Sequence, residues 1–300
     1  MSVFFFAGVL SPPMARKAPN REPTTSRLRR GAEAKYLFAS QRPLHVLVFL
    51  LPLIVAYEVG SILYLTNPAA GVVETIAARS ILSDVFETFG ALSFHLPAVL
   101  LIVILLIWHT LERDPWKVRP KFILGMTLES VLWTLPLLVL GLLLLGKHLE
   151  PTIVLGEATN VANFATNQVG HQIGNLAAYQ GPGGPAGDIA SMPWQHRLTL
   201  SIGAGLYEEL LFRLILILAL HFVFADVMRL SKPISNGLAA ILSAIAFAMY
   251  HANAGASPLP RDLFVFYAVA GLYFAILFIN RGFGVVVATH ALYDIVVLLA

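Results

Sequence analysis

The sequence contains no cysteine. This absence excludes disulfide bridges, thiol nucleophiles and metal sites built from cysteine, and it leaves the redox compartment unspecified. Charged residues are also scarce, at 12% of 300 positions, whereas soluble domains average about 25%. With 57% hydrophobic residues, the chain has too little polar surface to cover itself in water. The sequence therefore predicts a protein whose main solvent is the lipid bilayer.

The hydrophobic residues form seven runs that approach the length of about 20 apolar residues needed to cross a bilayer as a helix. We place these spans at approximately 44–66, 91–110, 122–146, 198–224, 234–252, 262–280 and 283–300. No internal repeat relates them, which argues against a transporter built from inverted halves. The predicted fold is an all-α, polytopic transmembrane helical bundle with about seven spanning helices.

The remaining segments divide the chain into four parts. Residues 1–43 are basic and rich in proline, serine and threonine, so we expect a disordered cytoplasmic tail. Residues 44–146 hold the N-terminal transmembrane helices, and the apolar spacing within 71–88 is typical of a helix in the membrane interface. Residues 147–197 form a long outer loop, and residues 198–300 hold the last four spans.

Lysine and arginine lie mainly on one side of the predicted spans. Eight of them precede the first span, and the loops after the second, fourth and sixth spans carry further ones. This distribution predicts an N-terminus in the cytoplasm and a C-terminus outside. A basic arm beside a membrane span indicates cytoplasmic retention, so we expect no nucleic-acid partner.

The densest group of ionisable residues lies in the fourth span. Arg213 follows Glu209 by four residues, the favourable order for an intrahelical ion pair. Glu208 points about 100° away from Glu209 on a helix, so it does not need the same arginine. Two adjacent acids with one cation suit acid–base chemistry. A packing ion pair with a spare acid facing a water cavity is the alternative.

Two later spans add histidines. His251 ends the fifth span, and His290 lies four residues before Asp294 in the seventh. With Glu208, the two histidines are candidate ligands for a divalent, zinc-like metal, or they polarise a water without metal. Strictly alternating spans place the two histidines at different depths. Their approach to Glu208 therefore requires shifted boundaries or a re-entrant segment at 252–260.

The three motifs, in this order, resemble the CPBP superfamily of intramembrane proteases, which includes the Rce1-type CAAX prenyl endopeptidases. The superfamily pattern is EExxxR, then FxxxH, then HxxxN or HxxxD. This chain has Glu208-Glu209-xxx-Arg213, Phe247-xxx-His251 and His290-xxx-Asp294. The resemblance covers roughly residues 198–300.

The resemblance implies an intramembrane, CAAX-like metalloendopeptidase that acts on membrane-associated peptides or proteins. Glu208 and His251 would activate the attacking water, and Arg213 would fix the glutamate pair. His290 and the residue at 294 would stabilise the oxyanion. The prenyl-protease branch has asparagine at 294. Asp294 therefore leaves prenylated substrates unestablished and favours a metal-ligand or histidine-orienting role. The expected location is a bacterial inner (cell) membrane.

Other reaction classes lack their motifs in this chain. There is no GxSG of rhomboid-type serine proteases, no HExxH of zinc peptidases and no GxGD of intramembrane aspartyl proteases. A catalytically silent binding, scaffold or bacteriocin-immunity protein that holds a partner with the same polar cluster is the alternative function. Glu58 and Glu129 belong to no motif, and we expect them to serve helix packing or to have a hydrogen-bonded partner instead of a catalytic role.

Overall fold

The computed structural model describes residues 36–67, 72–73, 76–88, 95–145, 192–253 and 260–299. Eight helices of more than ten residues lie in these ranges. They are α1 (Pro43–Gly60), α2 (Ala77–Thr88), α3 (Leu96–Glu112), α4 (Pro120–Leu145), α5 (Trp194–Val227), α6 (Lys232–Asn253), α7 (Arg261–Arg281) and α8 (Phe283–Leu299). A π-helical turn, Ser61–Leu65, continues α1, and the two-residue strands Thr66–Asn67 (β1) and Val72–Val73 (β2) pair antiparallel.

Seven of these helices are apolar, and they coincide in order with the seven predicted spans. Within the described ranges, five are long and apolar enough to cross a membrane, namely α1, α4, α5, α6 and α7. The other two, α3 and α8, are apolar but have only 17 residues each. The prediction of a polytopic helical membrane bundle is thus confirmed.

Proline residues mark where several of these helices begin. Pro43 and Pro97 lie in the first turns of α1 and α3, and Pro260 directly precedes α7. Proline is tolerated in a first helical turn because the backbone N–H it removes has no intrahelical partner there. Gly282, with φ of 85°, forms the one-residue turn that reverses the chain between α7 and α8.

Helix α8 lies at the centre of the C-terminal part of the bundle, and every residue from Phe283 to Ala291 is buried. It packs along α5 and α4, while α6 packs against α7. A Cβ atom placed on Gly205 of α5 would lie 2.7 Å from the backbone nitrogen of Ala291. The absence of a side chain at this position therefore allows α5 and α8 to approach closely.

Glu129 has hydrogen-bonded partners, as expected. Arg281, at the end of α7, forms a bidentate ion pair with the carboxylate of Glu129. Trp133 Nε1 donates at 3.0 Å, and the Tyr36 hydroxyl donates at 2.7 Å. Burial raises the pKa of Tyr36 above its ordinary value, so the hydroxyl stays a donor. This cluster ties the start of the described chain to α4 and α7.

Parts of the predicted organisation lie outside the described residues. Of the tail at 1–43, only 36–43 is described, and it contains a helical turn at 36–40. Of the outer loop at 147–197, only 192–197 is described, and α5 already begins at Trp194. The segment at 252–260 is described only at its two ends. Helix α2 lies within the segment 71–88, and its position in the membrane interface stays a prediction.

Candidate active site

The predicted site residues meet between three helices of the described structure. Helix α5 contributes Glu208, Glu209 and Arg213, α6 contributes His251, and α8 contributes His290 and Asp294. All are buried except Asp294, whose side chain is 15% exposed. The helices bring together every residue that the three motifs singled out.

Glu209 is held by two partners. Arg213 Nε lies 3.2 Å from its Oε2, and His290 Nδ1 lies 2.7 Å from its Oε1. Arg213 also donates to the backbone oxygen of Gly271 at 3.3 Å and lies 4.3 Å from the centre of the Phe247 ring. Glu209 and Arg213 have no solvent exposure, so the pair neutralises two charges that would otherwise be costly to bury. This arrangement indicates that Glu209 anchors His290.

Glu208 has different surroundings, as its 100° offset from Glu209 predicts. Its Oε2 lies 3.7 Å from His251 Nε2 and 3.9 Å from His290 Nε2, and no described protein atom hydrogen-bonds to it. Its Oε1 lies 3.4 Å from the hydroxyl of Tyr250. One oxygen of a buried carboxylate is therefore directed at two imidazoles without a direct hydrogen bond.

The two histidines are oriented differently. His251 Nδ1 lies 2.9 Å from the backbone oxygen of Phe247, which can only accept, so we assign the hydrogen to Nδ1. Neutral His251 then presents the lone pair of Nε2 to Glu208. His290 donates through Nδ1 to Glu209, while its Nε2 lies 3.5 Å from Asp294 Oδ2. The site thus contains a free imidazole lone pair on one side and an anchored imidazole on the other.

Helix α7 places an aromatic ring against each of the two histidines. The Tyr267 ring stacks on His251 at 4.0 Å, and the Phe274 ring stacks on His290 at 4.6 Å. These aromatic residues are seven positions apart on α7, which is about 10 Å along the helix axis. The Nε2 atoms of both imidazoles nevertheless lie within 4 Å of Glu208 Oε2. The predicted re-entrant segment at 252–260 falls almost entirely outside the described residues and stays a prediction.

A small cavity of about 30 Å³ opens between these side chains. Its lining consists of the polar residues Glu208, His251, His290 and Asp294 with the hydrophobic residues Leu137, Ala204, Phe247, Phe266, Tyr267, Ala270, Phe274 and Tyr293. That volume holds one or two water molecules, and the polar lining offers the hydrogen bonds that a buried water needs.

The aromatic neighbours of the site were not predicted. Tyr250 and Tyr267 contact Glu208 and His251, but an aromatic residue in an apolar helix has the same sequence pattern as a core residue. The π-helical geometry of residues 210–217, directly after the glutamate pair, was not predicted either. Such segments widen a helix and are frequent at functional sites.

The predicted metal ligands are Glu208, His251 and His290. The Nε2 atoms of both histidines lie within 4 Å of Glu208 Oε2, so the atoms that would bind a metal are close together. Across the described ranges, however, no group of three histidine, aspartate or glutamate side chains is arranged to hold a metal ion. His290 Nε2 also lies nearer to Asp294 than to Glu208. The divalent metal stays a prediction.

Comparison with protein families supports the reading of the motifs. Residues 190–296 match the family described as Type II CAAX prenyl endopeptidase Rce1-like. The matched segment, about a third of the chain, contains α5 to α7, most of α8 and all the predicted site residues. No curated protein and no solved structure matches the chain. Residues 190–296 therefore resemble the Rce1-like family of CAAX prenyl endopeptidases, the family that the three motifs predicted.

Proposed function

We propose that this protein is an intramembrane endopeptidase, in which Glu208 and His251 activate a water that attacks a peptide bond of a membrane-associated peptide or protein. The family match to residues 190–296 supports a protease of the CAAX type. The apolar helices around the site support an integral membrane protein. The substrate is proposed only by class, and prenylation is a variable of the experiment below.

One observation carries the proposal. Glu208 Oε2 and His251 Nε2 face each other at 3.7 Å, beside a cavity that holds one or two waters. An ionised carboxylate and the lone pair of a neutral imidazole are both acceptors, so neither satisfies the other. A water in the adjoining cavity, within hydrogen-bond distance of both atoms, satisfies both because it has two hydrogens to donate. Such a water is polarised at both hydrogens and presents its oxygen lone pairs to a substrate carbonyl.

The reaction then proceeds by general base and general acid catalysis. As the water oxygen bonds to the scissile carbonyl carbon, one water proton passes to Glu208 and the carbonyl oxygen gains negative charge. When the tetrahedral intermediate collapses, the carbon–nitrogen bond breaks and Glu208 returns the proton to the leaving amine. His251 orients the water by accepting its second hydrogen.

His290 provides the stabilisation of the oxyanion. With Nδ1–H donated to Glu209, the imidazole in its doubly protonated form directs Nε2–H toward the cavity that it lines. A fixed donor in a site that excludes most water stabilises developing negative charge strongly. Asp294, 3.5 Å from that nitrogen, orients the ring. Arg213 acts indirectly, because it fixes Glu209 and Glu209 fixes His290.

The test is peptide hydrolysis by the purified full chain in liposomes, with fluorogenic peptides that do and do not carry a prenylated cysteine. We expect Glu208→Gln to lower kcat by about 10³-fold or more, because glutamine cannot take the proton. His251→Ala is expected to lower kcat in the same direction. Glu112→Gln is the matched control, since this exposed glutamate at the end of α3 lies outside the site.

The possible outcomes separate the two candidate functions. Cleavage that survives both Glu208→Gln and His251→Ala would overturn the site assignment. A folded wild-type protein that cleaves none of the peptides would favour the non-catalytic binding protein. A chelator added to the active wild type tests the metal: loss of activity that is restored by a divalent ion supports it, and unchanged activity opposes it.

A further inference from the structure

The first turn of α2 reaches the site from outside the matched segment. The backbone nitrogen of Ala78 donates to the hydroxyl of Tyr250 at 3.0 Å, and that hydroxyl donates to Glu208 Oε1 at 3.4 Å. Ala78 lies outside the three sequence motifs, and Tyr250 occupies an unspecified position of the second motif, Phe247-xxx-His251. A chain of two hydrogen bonds thus connects an N-terminal helix with the proposed catalytic base.

The direction of this chain follows from the donors. A tyrosine hydroxyl has a single hydrogen, and the Ala78 N–H occupies an acceptor position on its oxygen. The hydrogen of Tyr250 is therefore left for Glu208. At 3.4 Å this contact is long for an O–H···O bond, but hydrogen bonds in ligand-free catalytic sites are often long and tighten when substrate binds. Tyr250 holds Oε1 and leaves Oε2 directed at the two histidines.

The next residue of α2, Arg79, fixes the same turn to α1 and α5. Its fully buried guanidinium lies 5.1 Å from the Tyr57 ring and 5.6 Å from the Tyr207 ring. Arg79 Nη2 lies 3.4 Å from Glu58 Oε1, the oxygen to which Tyr207 donates at 2.8 Å. Tyr207 directly precedes Glu208 in the chain. Consecutive residues of α2 therefore contact the surroundings of Glu208 in two ways: Ala78 through Tyr250, and Arg79 through Glu58 and Tyr207.

We propose that Tyr250 is a positioning residue for Glu208, and that the first turn of α2, fixed by Arg79, holds Tyr250 in this role. The inference rests on the proposed function. It assigns part of the site to residues 77–79, which lie outside the family match at 190–296. The N-terminal helices then have a role in the reaction beyond anchoring the chain in the membrane.

The first variant is Tyr250→Phe. Phenylalanine keeps the ring contacts with Phe212 and His251 and removes only the hydroxyl. We expect kcat to fall about 10- to 100-fold with KM within about twofold, because the base loses its orientation while substrate contacts stay intact. Tyr273→Phe is the matched control. Its hydroxyl donates to the backbone oxygen of Trp133, away from the site, so kcat should not change.

The second pair of variants tests the helix that holds Tyr250. Arg79→Met should lower kcat, as Tyr250→Phe does. Arg79→Lys keeps the positive charge and should retain most of the wild-type kcat. In the double variant Tyr250→Phe with Arg79→Met, the losses should be less than additive because both act on one contact. The melting temperature of each variant shows that kcat refers to folded protein. A purely structural role would change folded yield without changing kcat per folded molecule.

The outcomes distinguish this inference from the proposed function. An active wild type with an equally active Tyr250→Phe variant would overturn the positioning role alone. If the losses of kcat in the two single variants, expressed as activation free energies, add fully in the double variant, the proposed role of α2 in holding Tyr250 is overturned. A wild type without any peptidase activity would overturn the proposed function and this inference together.

Discussion

Asp294 is the position at which this chain departs from the prenyl-protease pattern, where asparagine stands. Its carboxylate lies 3.5 Å from His290 Nε2, on the side of the ring opposite the Glu209 bond. An ionised carboxylate accepts hydrogen bonds and cannot donate one to an oxyanion. The geometry therefore favours orientation of His290 over direct stabilisation of the substrate oxygen.

Two substitutions at this position test that role. We expect Asp294→Asn to keep kcat within about tenfold of wild type, since the amide retains an oxygen for His290 and adds a donor for the oxyanion. Asp294→Leu provides neither group and should lower kcat by about 100-fold or more. Peptide hydrolysis at saturating substrate measures both. If the asparagine variant is as slow as the leucine variant, the negative charge itself is required.

The ease of predicting a residue depended on how unusual it is in a membrane helix. Glu208, Arg213 and His290 were recognisable from the sequence because ionisable side chains at membrane depth are expensive and need a reason. Tyr250 was not, because its ring resembles any core aromatic and its function depends on a hydroxyl directed by tertiary contacts. Arg79 was not predicted either, since the apolar spacing of residues 71–88 predicts a helix in the membrane interface and indicates no contact with the site.

At the scale of helices, the close approach of α5 and α8 sets the distance between Glu209 and His290. Gly205 lies one turn before the glutamate pair and faces Ala291, the neighbour of His290. A Cβ at Gly205 would lie 2.7 Å from both the Cβ and the nitrogen of Ala291. Backbone atoms cannot yield at that distance without movement of a whole helix.

We therefore expect Gly205→Ala to lower both the melting temperature and kcat, the latter by about tenfold or more, because α8 must move away from Glu209. Gly237→Ala is the control, since no atom lies within 4 Å of a Cβ there. That exposed helical position should gain stability by about 0.4–1 kcal/mol. Thermal unfolding and peptide hydrolysis of the two variants measure these effects. Equal behaviour of the two variants would contradict the close-approach argument.

The seven apolar helices coincide in order with the predicted spans, and the differences lie at their ends. The predicted span begins at 198, whereas helix α5 begins at Trp194. The prediction began too late because Gln195, His196 and Arg197 interrupt the apolar pattern from which the span was located. Its π-helical segments have no sequence signature that an apolar run reveals. The predicted spans at 262–280 and 283–300 leave only residues 281–282 between them, and the chain does reverse there, at Gly282 with its φ of 85°.

At the scale of the whole molecule, contacts within the described chain place several basic segments at one end of the bundle. Arg42 pairs with Asp114 at 3.4 Å, and Gln41 donates to the backbone oxygen of Asn280 at 2.9 Å. The start of α1, the α3–α4 loop and the end of α7 therefore share a face. The loop charges predicted the same grouping, because strictly alternating spans bring these segments to one side.

Which side of the membrane this face occupies is a separate prediction, and a chain without cysteine allows a direct measurement. We expect Lys117→Cys, in the α3–α4 loop, to be protected from a membrane-impermeant maleimide in intact cells. Arg261→Cys, at the opposite end of α7, should react. Both residues are exposed, so both variants should label fully once the membrane is permeabilised, and the cysteine-free wild type should not label. The physical reason is that segments rich in lysine and arginine are retained in the cytoplasm. Labelling of Lys117→Cys but not Arg261→Cys in intact cells would reverse the predicted orientation.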